Sequence, residues 1–210
     1  MLYKEAVKPE LLELLNILGK EERLKLFALA GGTSLALQIR HRLSIDLVFF
    51  TQTDFDANSL SEFFEQELKF QQTFITKNTL KGLVNNVHIE FIAHKYPLIN
   101  DLSTFECYRL YSLPDIAAMK LNAISGNGTR VKDFIDIYYL LNKFSIEDML
   151  GFFEKKYNQK NSLLVLKSLI WYDDVELADW PVMIKDPKIT WAEIKKKIKN
   201  EVTLYHKSLR

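Results

Sequence analysis

A single acid interrupts the apolar run LSIDLVFF (residues 43–50), which places Asp46 in a largely buried strand. An unpaired carboxylate in such a setting is costly, so it needs a cation. Glu90, in VHIEFIAH (87–94), repeats the pattern: Ile89 and Phe91 flank it as Leu47 and Phe49 flank Asp46. If the two strands are neighbours, both carboxylates converge on one Mg²⁺ or Mn²⁺, with phosphate oxygens completing its shell. The alternative is an ion pair with Arg40, Arg42 or Lys81, and spacing alone leaves both open.

Two further constellations point to phosphate chemistry. In AGGTSL (30–35), Gly31 and Gly32 stand between a strand and a helix, where the backbone can approach a ligand closely. The free N–H groups of the helix start suit an anion, and Thr33 and Ser34 add hydroxyls. A plain tight turn is the other reading of this segment. In the second half, Asp133 and Asp136 are three residues apart on one helix face, and Lys120 lies one helix earlier. With Arg130 and Lys132, that lysine could grip a triphosphate while the two acids orient it. An ordinary interhelical charge network has the same spacing.

The elements that must position these residues fall into two sets. Pro9 opens a helix closed near Gly19, the segment 26–32 gives a strand and a Gly turn, and TSLALQIRHR continues as helix. The strand of Asp46 follows, then a helix from Asp56 to Leu68, then β-type segments at 70–78, 80–86 and 87–94, with Gly82 and Asn85-Asn86 as turns. From Ser112 the chain carries helical periodicity, ending in a helix capped by Thr190. The expectation is an α+β fold: a mixed-sheet core with flanking helices over 1–111, then a helical domain over 112–210 that packs on it across a cleft. His41 is expected at a phosphate or on the surface of a helix end. Trp171, Trp180 and Trp191 are expected to bury apolar area between helices.

Composition bounds the alternatives. With 48% hydrophobic and 26% charged residues among 210, the chain is globular and long enough to need no disulfide or structural metal. The lone Cys107 fits a reducing cytoplasm. The start, MLYKEAVKPELLELL, has acids among its leucines and does not read as a signal peptide, and no apolar run spans a membrane. A net charge of +1 gives no global field for nucleic acid, and the lysines of 195–207 read first as a solvated helix face.

Taken together, four blocks resemble the AbiEii/AbiGii-type nucleotidyltransferase toxin family, a minimal nucleotidyltransferase class with a polymerase-β-like core. They are GGTSLALQ (31–38), HRLSIDLVFF (41–50), DIAAMKLNAI (115–124) and RVKDFIDIYYLL (130–141). The resemblance implies transfer of a nucleoside monophosphate from an NTP to a hydroxyl of RNA (a tRNA 3′ end) or protein, and a cognate antitoxin partner. It implies metal ligation by Asp46 and Glu90, a phosphate cradle of Gly31, Gly32 and Thr33, triphosphate contact by Lys120, and completion of the site by Asp133 and Asp136. One position departs from the family block: D-x-D reads here Asp46-Leu47-Val48. Two readings follow, an active transferase and a catalytically inactive relative that binds nucleotide, RNA or a partner.

Overall fold

The computed structural model describes residues 2–209. The chain divides into two compact units, one of residues 1–39, 44–97 and 101–111, the other of 40–43, 98–100 and 112–210.

The first unit is built on a mixed sheet. Its helices are α1 (Pro9–Gly19), α2 (Gly31–Ile39) and α3 (Ala57–Leu68). Among the described residues its strands are β1 (Ala28–Leu29), β2 (Asp46–Thr51), β3 (Gln71–Thr76), β4 (Thr79–Val84), β5 (Val87–Ala93), β6 (Ser103–Phe105) and β7 (Tyr108–Leu110), in the order β3-β4-β5-β2-β1-β7-β6. β2 runs parallel to β5 and β1 parallel to β7; the other neighbours are antiparallel. Because side chains alternate along a strand, Leu47, Phe49, Ile89 and Phe91 enter one core with Leu11, Leu14, Leu15 and Leu18 of α1 and Leu60 and Phe64 of α3. The other face of β2 therefore carries Asp46, Val48 and Phe50.

Local chemistry sets the connections. Asp56 caps α3, its carboxylate accepting from the Asn58 and Ser59 N–H groups. Asn85 and Asn86 both take positive φ (49° and 66°), as a two-residue turn between twisted antiparallel strands requires. Gly82 is not a turn, as its sequence neighbours suggest, but the middle of β4. A Cβ there would lie 2.3 Å from Phe70 Cζ and 2.4 Å from the Gln71 carbonyl oxygen, so only glycine lets β3 approach. Gly82→Ala is expected to cost about 1–3 kcal/mol in chemical denaturation, and an unchanged midpoint would refute this close-approach role.

The second unit is helical: α4 (Leu113–Gly126), α5 (Val131–Leu140), α6 (Ile146–Tyr157), α7 (Ser162–Leu169) and α8 (Trp191–Ser208). Ser145 and Thr190 open α6 and α8 with full capping boxes. Buried at its centre, Lys156 pairs with Asp115 at 2.8 Å, and Asp115 also accepts the Ile99 and Asn100 N–H groups at 3.0 and 3.3 Å, fixing 98–100 to this unit. Of the three tryptophans, Trp171 departs from expectation. It lies just past the end of α7 and is 59% exposed, because no helix follows it until α8. Trp191 does pack, edge-on to Phe134 and Tyr172. No helix among the described residues is long and apolar enough to cross a membrane.

Candidate active site

In the first unit the glycine block and Asp46 are drawn together by the β1–β2 ladder. The Ala30 N–H donates to the Val48 carbonyl at 2.8 Å, and the chain then turns into α2 at Gly31, whose φ of +63° favours glycine. The two glycines are thus the first turn of the helix rather than a separate loop. A Cβ on Gly31 would sit 3.8 Å from Val48 Cβ, so the helix start stands directly over this strand face.

The two hydroxyls expected to meet phosphate point inward instead. Thr33, 1% exposed, donates to the Asp46 carbonyl, lies 2.8 Å from Ser44 Oγ and reaches Asp46 Oδ1 at 3.3 Å. Ser44 Oγ donates to the same Oδ1 at 3.4 Å. Both contacts orient the Asp46 carboxylate and use one of its oxygens. Ser34, fully buried, receives Gln38 Nε2 on its hydroxyl and its carbonyl, each at 3.1 Å. What faces outward is the backbone of Gly31 and Gly32, both part-exposed, and the Asp46 carboxylate.

Glu90 shares the Asp46 face, but one step along: Asp46 registers with His88, and Val48 with Glu90. Of the roles open to Glu90, the contact seen is the ion pair, with Lys81 Nζ at 3.0 Å from Oε2.

In the second unit Lys120, Asp133 and Asp136 meet, and two residues that sequence reasoning placed elsewhere, His41 and Arg42, join them. Lys120 Nζ lies 2.5 Å from Asp133 Oδ1 and 2.7 Å from Asp136 Oδ2. Arg42 forks onto Asp136, Nε to Oδ1 at 2.8 Å and Nη2 to Oδ2 at 3.1 Å. His41, expected at the surface or on a phosphate, is 0% exposed, with Nε2 2.7 Å from Asp136 Oδ1. Burial pushes the Asp136 carboxyl up, yet Arg42, Lys120 and His41 outweigh it and hold it well below the usual carboxylate range. Burial also lowers Lys120, and Asp133 and Asp136 reverse that, so its amine stays charged. His41 is lowered by burial against the pull of Asp136, which keeps it neutral. With Nε2–H donating to Asp136, Nδ1 is left without a partner among the described residues. Two carboxylates, one ammonium and one guanidinium then sum to zero.

The remaining predicted cations stand elsewhere on this unit. Arg130 is the exposed residue preceding α5, and Lys132 pairs with Asp179 at 3.2 Å.

A mixed sheet bearing a glycine helix start beside a strand carboxylate, followed by a helical unit, is the fold of nucleotidyltransferases. JHP933 from Helicobacter pylori is similar with a TM-score of 0.58 at 18% identity, covering 100% of this chain and 95% of that one. MenT4, the nucleotidyltransferase toxin Rv2826c from Mycobacterium tuberculosis H37Rv, is similar with a TM-score of 0.57 at 14% identity, covering 84% and 74%. At these identities the likeness is one of fold. The family follows from sequence: residues 13–208 match the nucleotidyl transferase AbiEii toxin family of type IV toxin–antitoxin systems, and the chain belongs to it. The uncharacterized protein aq_aa25 from Aquifex aeolicus (strain VF5) is 30% identical over 189 residues, 85% of this chain and 87% of that protein.

Nucleotidyltransferases generally use divalent metals, so the donor set can be tested against one. A magnesium ion is commonly held by one or two carboxylates plus substrate phosphates. Asp46, oriented by two hydroxyls and part-exposed, fits as the protein ligand of one such ion. A second ion needs a bridging carboxylate, and Val48 offers no oxygen at that position. No cluster of three or more His, Cys, Asp or Glu suited to a metal occurs among the described residues.

Proposed function

We propose that the chain transfers a nucleoside monophosphate from an NTP to a hydroxyl of RNA or protein in the cytoplasm, as the toxin of a toxin–antitoxin pair. The observation that carries the reading is the unit formed by Gly31, Gly32, Thr33 and Asp46: a helix start open to phosphate, tied by a buried hydroxyl to a carboxylate on the adjacent strand. The Gly31 and Gly32 N–H groups and the positive helix end would bind phosphate oxygens. An ion held by Asp46 would neutralise charge on those oxygens. Thr33 and Ser44 fix the Asp46 carboxylate before substrate arrives, so little reorganisation is left for the transfer step. Lys120, Arg130 and Lys132 offer cations for a triphosphate. In the reaction the oxygen of an acceptor hydroxyl attacks the α-phosphorus in line. The new P–O bond forms as the bond from the α-phosphorus to the bridging oxygen breaks, the hydroxyl proton passes to solvent, and pyrophosphate leaves.

The test is label transfer from α-labelled NTPs to total RNA or protein, with Mg²⁺ or Mn²⁺. Wild type should label an acceptor, and Asp46→Asn should lower the rate about a hundredfold or more. Equal rates for the two proteins would remove Asp46 from the site. Val48 and the Glu90–Lys81 pair favour a second reading, a relative that binds nucleotide without turnover. It gains if wild type binds NTP and neither it nor Val48→Asp transfers label.

A further inference from the structure

We infer that Lys81 supplies, as a fixed side-chain cation, part of the charge that a second divalent ion would bring to the sheet face beside Asp46. The inference rests on the proposed function in one respect, that the ligand is an NTP.

Three neighbouring strands place Lys81, Glu90 and Val48 in one row, since Lys81 registers with Glu90 and Glu90 with Val48. Residues in cross-strand register point to the same face, which makes this the face of Asp46 as well. Each member of the row opposes a second metal ion in its own way. Val48 presents methyl groups, and a Cβ on Gly31 would lie 3.8 Å from the Val48 Cβ, so the helix start faces this side chain. Glu90 already holds an ammonium at 3.0 Å, so a divalent ion there would face a like charge as well as a neutralised ligand.

The same arrangement suits a phosphate. The Lys81 and Glu90 side chains are 38% and 35% exposed, so solvent and ligand oxygens can reach the ammonium. A Lys ammonium carries three donors, and one salt bridge leaves the others for phosphate oxygens. Glu90 orients Lys81 in this scheme and is not a metal ligand. The row of Lys81 and Glu90 ends at Val48, the residue that the glycine helix start faces. Loss of the second acid and the presence of a lysine two strands away then belong to one design, a nucleotide site with one ion and one built-in cation.

The experiment titrates Mn²⁺ into the full chain with a non-hydrolysable α,β-methylene NTP, counting bound ion by electron paramagnetic resonance and nucleotide affinity by calorimetry. Wild type should bind one Mn²⁺ per nucleotide, and Glu90→Gln should leave that count at one. Lys81→Met should weaken nucleotide binding about tenfold, with Lys81→Arg close to wild type and thermal midpoints unchanged. Val48→Asp should bind a second Mn²⁺ and make nucleotide affinity insensitive to Lys81→Met. Two Mn²⁺ on wild type, or a Lys81→Met protein that binds nucleotide as tightly as wild type, overturns the inference and leaves the transferase reading standing. Absence of nucleotide binding by wild type overturns both.

Discussion

Asp136→Asn should destabilise the helical unit by about 3–5 kcal/mol at neutral pH, the cost of removing one partner from a buried ion network. Asp136 is fully buried and touches three groups at once: the Arg42 guanidinium, the Lys120 ammonium and His41 Nε2. An amide of the same shape keeps the packing and loses the charge. Arg42 and Lys120 would then share Asp133 alone, leaving one buried positive charge without compensation. Guanidinium denaturation of wild type and variant measures the difference, and a loss below about 1 kcal/mol would mean that the network behaves like a surface pair.

The pH dependence of that difference follows from the same contacts. The folded-state value of Asp136 lies well below the ordinary 3.8, so its contribution is present above about pH 4 and is lost as pH falls through the folded value. The gap between wild type and Asp136→Asn should therefore narrow below pH 4. His41 acts higher. Its folded value is lowered from 6.5, so the unfolded chain binds more protons just below that pH, and stability falls as pH drops below about 6.5. His41→Gln, which retains a donor, should flatten the limb between pH 6.5 and the folded value. A wild-type curve flat from pH 7 to 5 would show that His41 accepts a proton in place.

How much of this was legible in the sequence differs between the two clusters. The Lys120–Asp133–Asp136 contacts follow from helical spacing, and Asp46, Glu90 and the alternate apolar residues share the strand periodicity that sets their faces. Arg42 and His41 were not legible as partners of Asp136, since 94 and 95 residues separate them from it and no local period reaches that far. Their segment also leaves the first unit: Arg40 takes a φ of 56°, and 40–43, which lie in sequence between α2 and β2, group with the helical unit. One signal was available. Two carboxylates against the single ammonium of Lys120 leave an excess negative charge that a buried site cannot hold, which calls for another cation. The β6–β7 hairpin had no such signal, being two three-residue strands joined around Glu106 and Cys107 with no Gly, Pro or Asn-Gly at the turn. Gly82 misled because glycine marks turns and close backbone approach alike, and only the position of Phe70 distinguishes them.

Lys120→Met should both unfold and inactivate, and a second substitution separates the two effects. The lysine is 7% exposed, and its amine is shared by two carboxylates. Removing it leaves Asp133 without its partner and the cluster with an excess negative charge, at a cost of about 3–5 kcal/mol. Lys120→Met/Asp133→Asn restores neutrality, since Arg42 alone balances Asp136. Its stability should return to within about 1 kcal/mol of wild type, so the double-mutant cycle gives a large coupling energy for the pair. In the single variant His41 also loses a neighbouring cation that holds its proton off, so the acid-sensitive limb below pH 6.5 should shrink. Label transfer then tells what the ammonium is for. If Lys120 contacts the triphosphate, the stable double variant remains inactive, because it has lost the ammonium that makes that contact. Transfer at the wild-type rate by that double variant would confine Lys120 to holding the helices together and remove it from the triphosphate site.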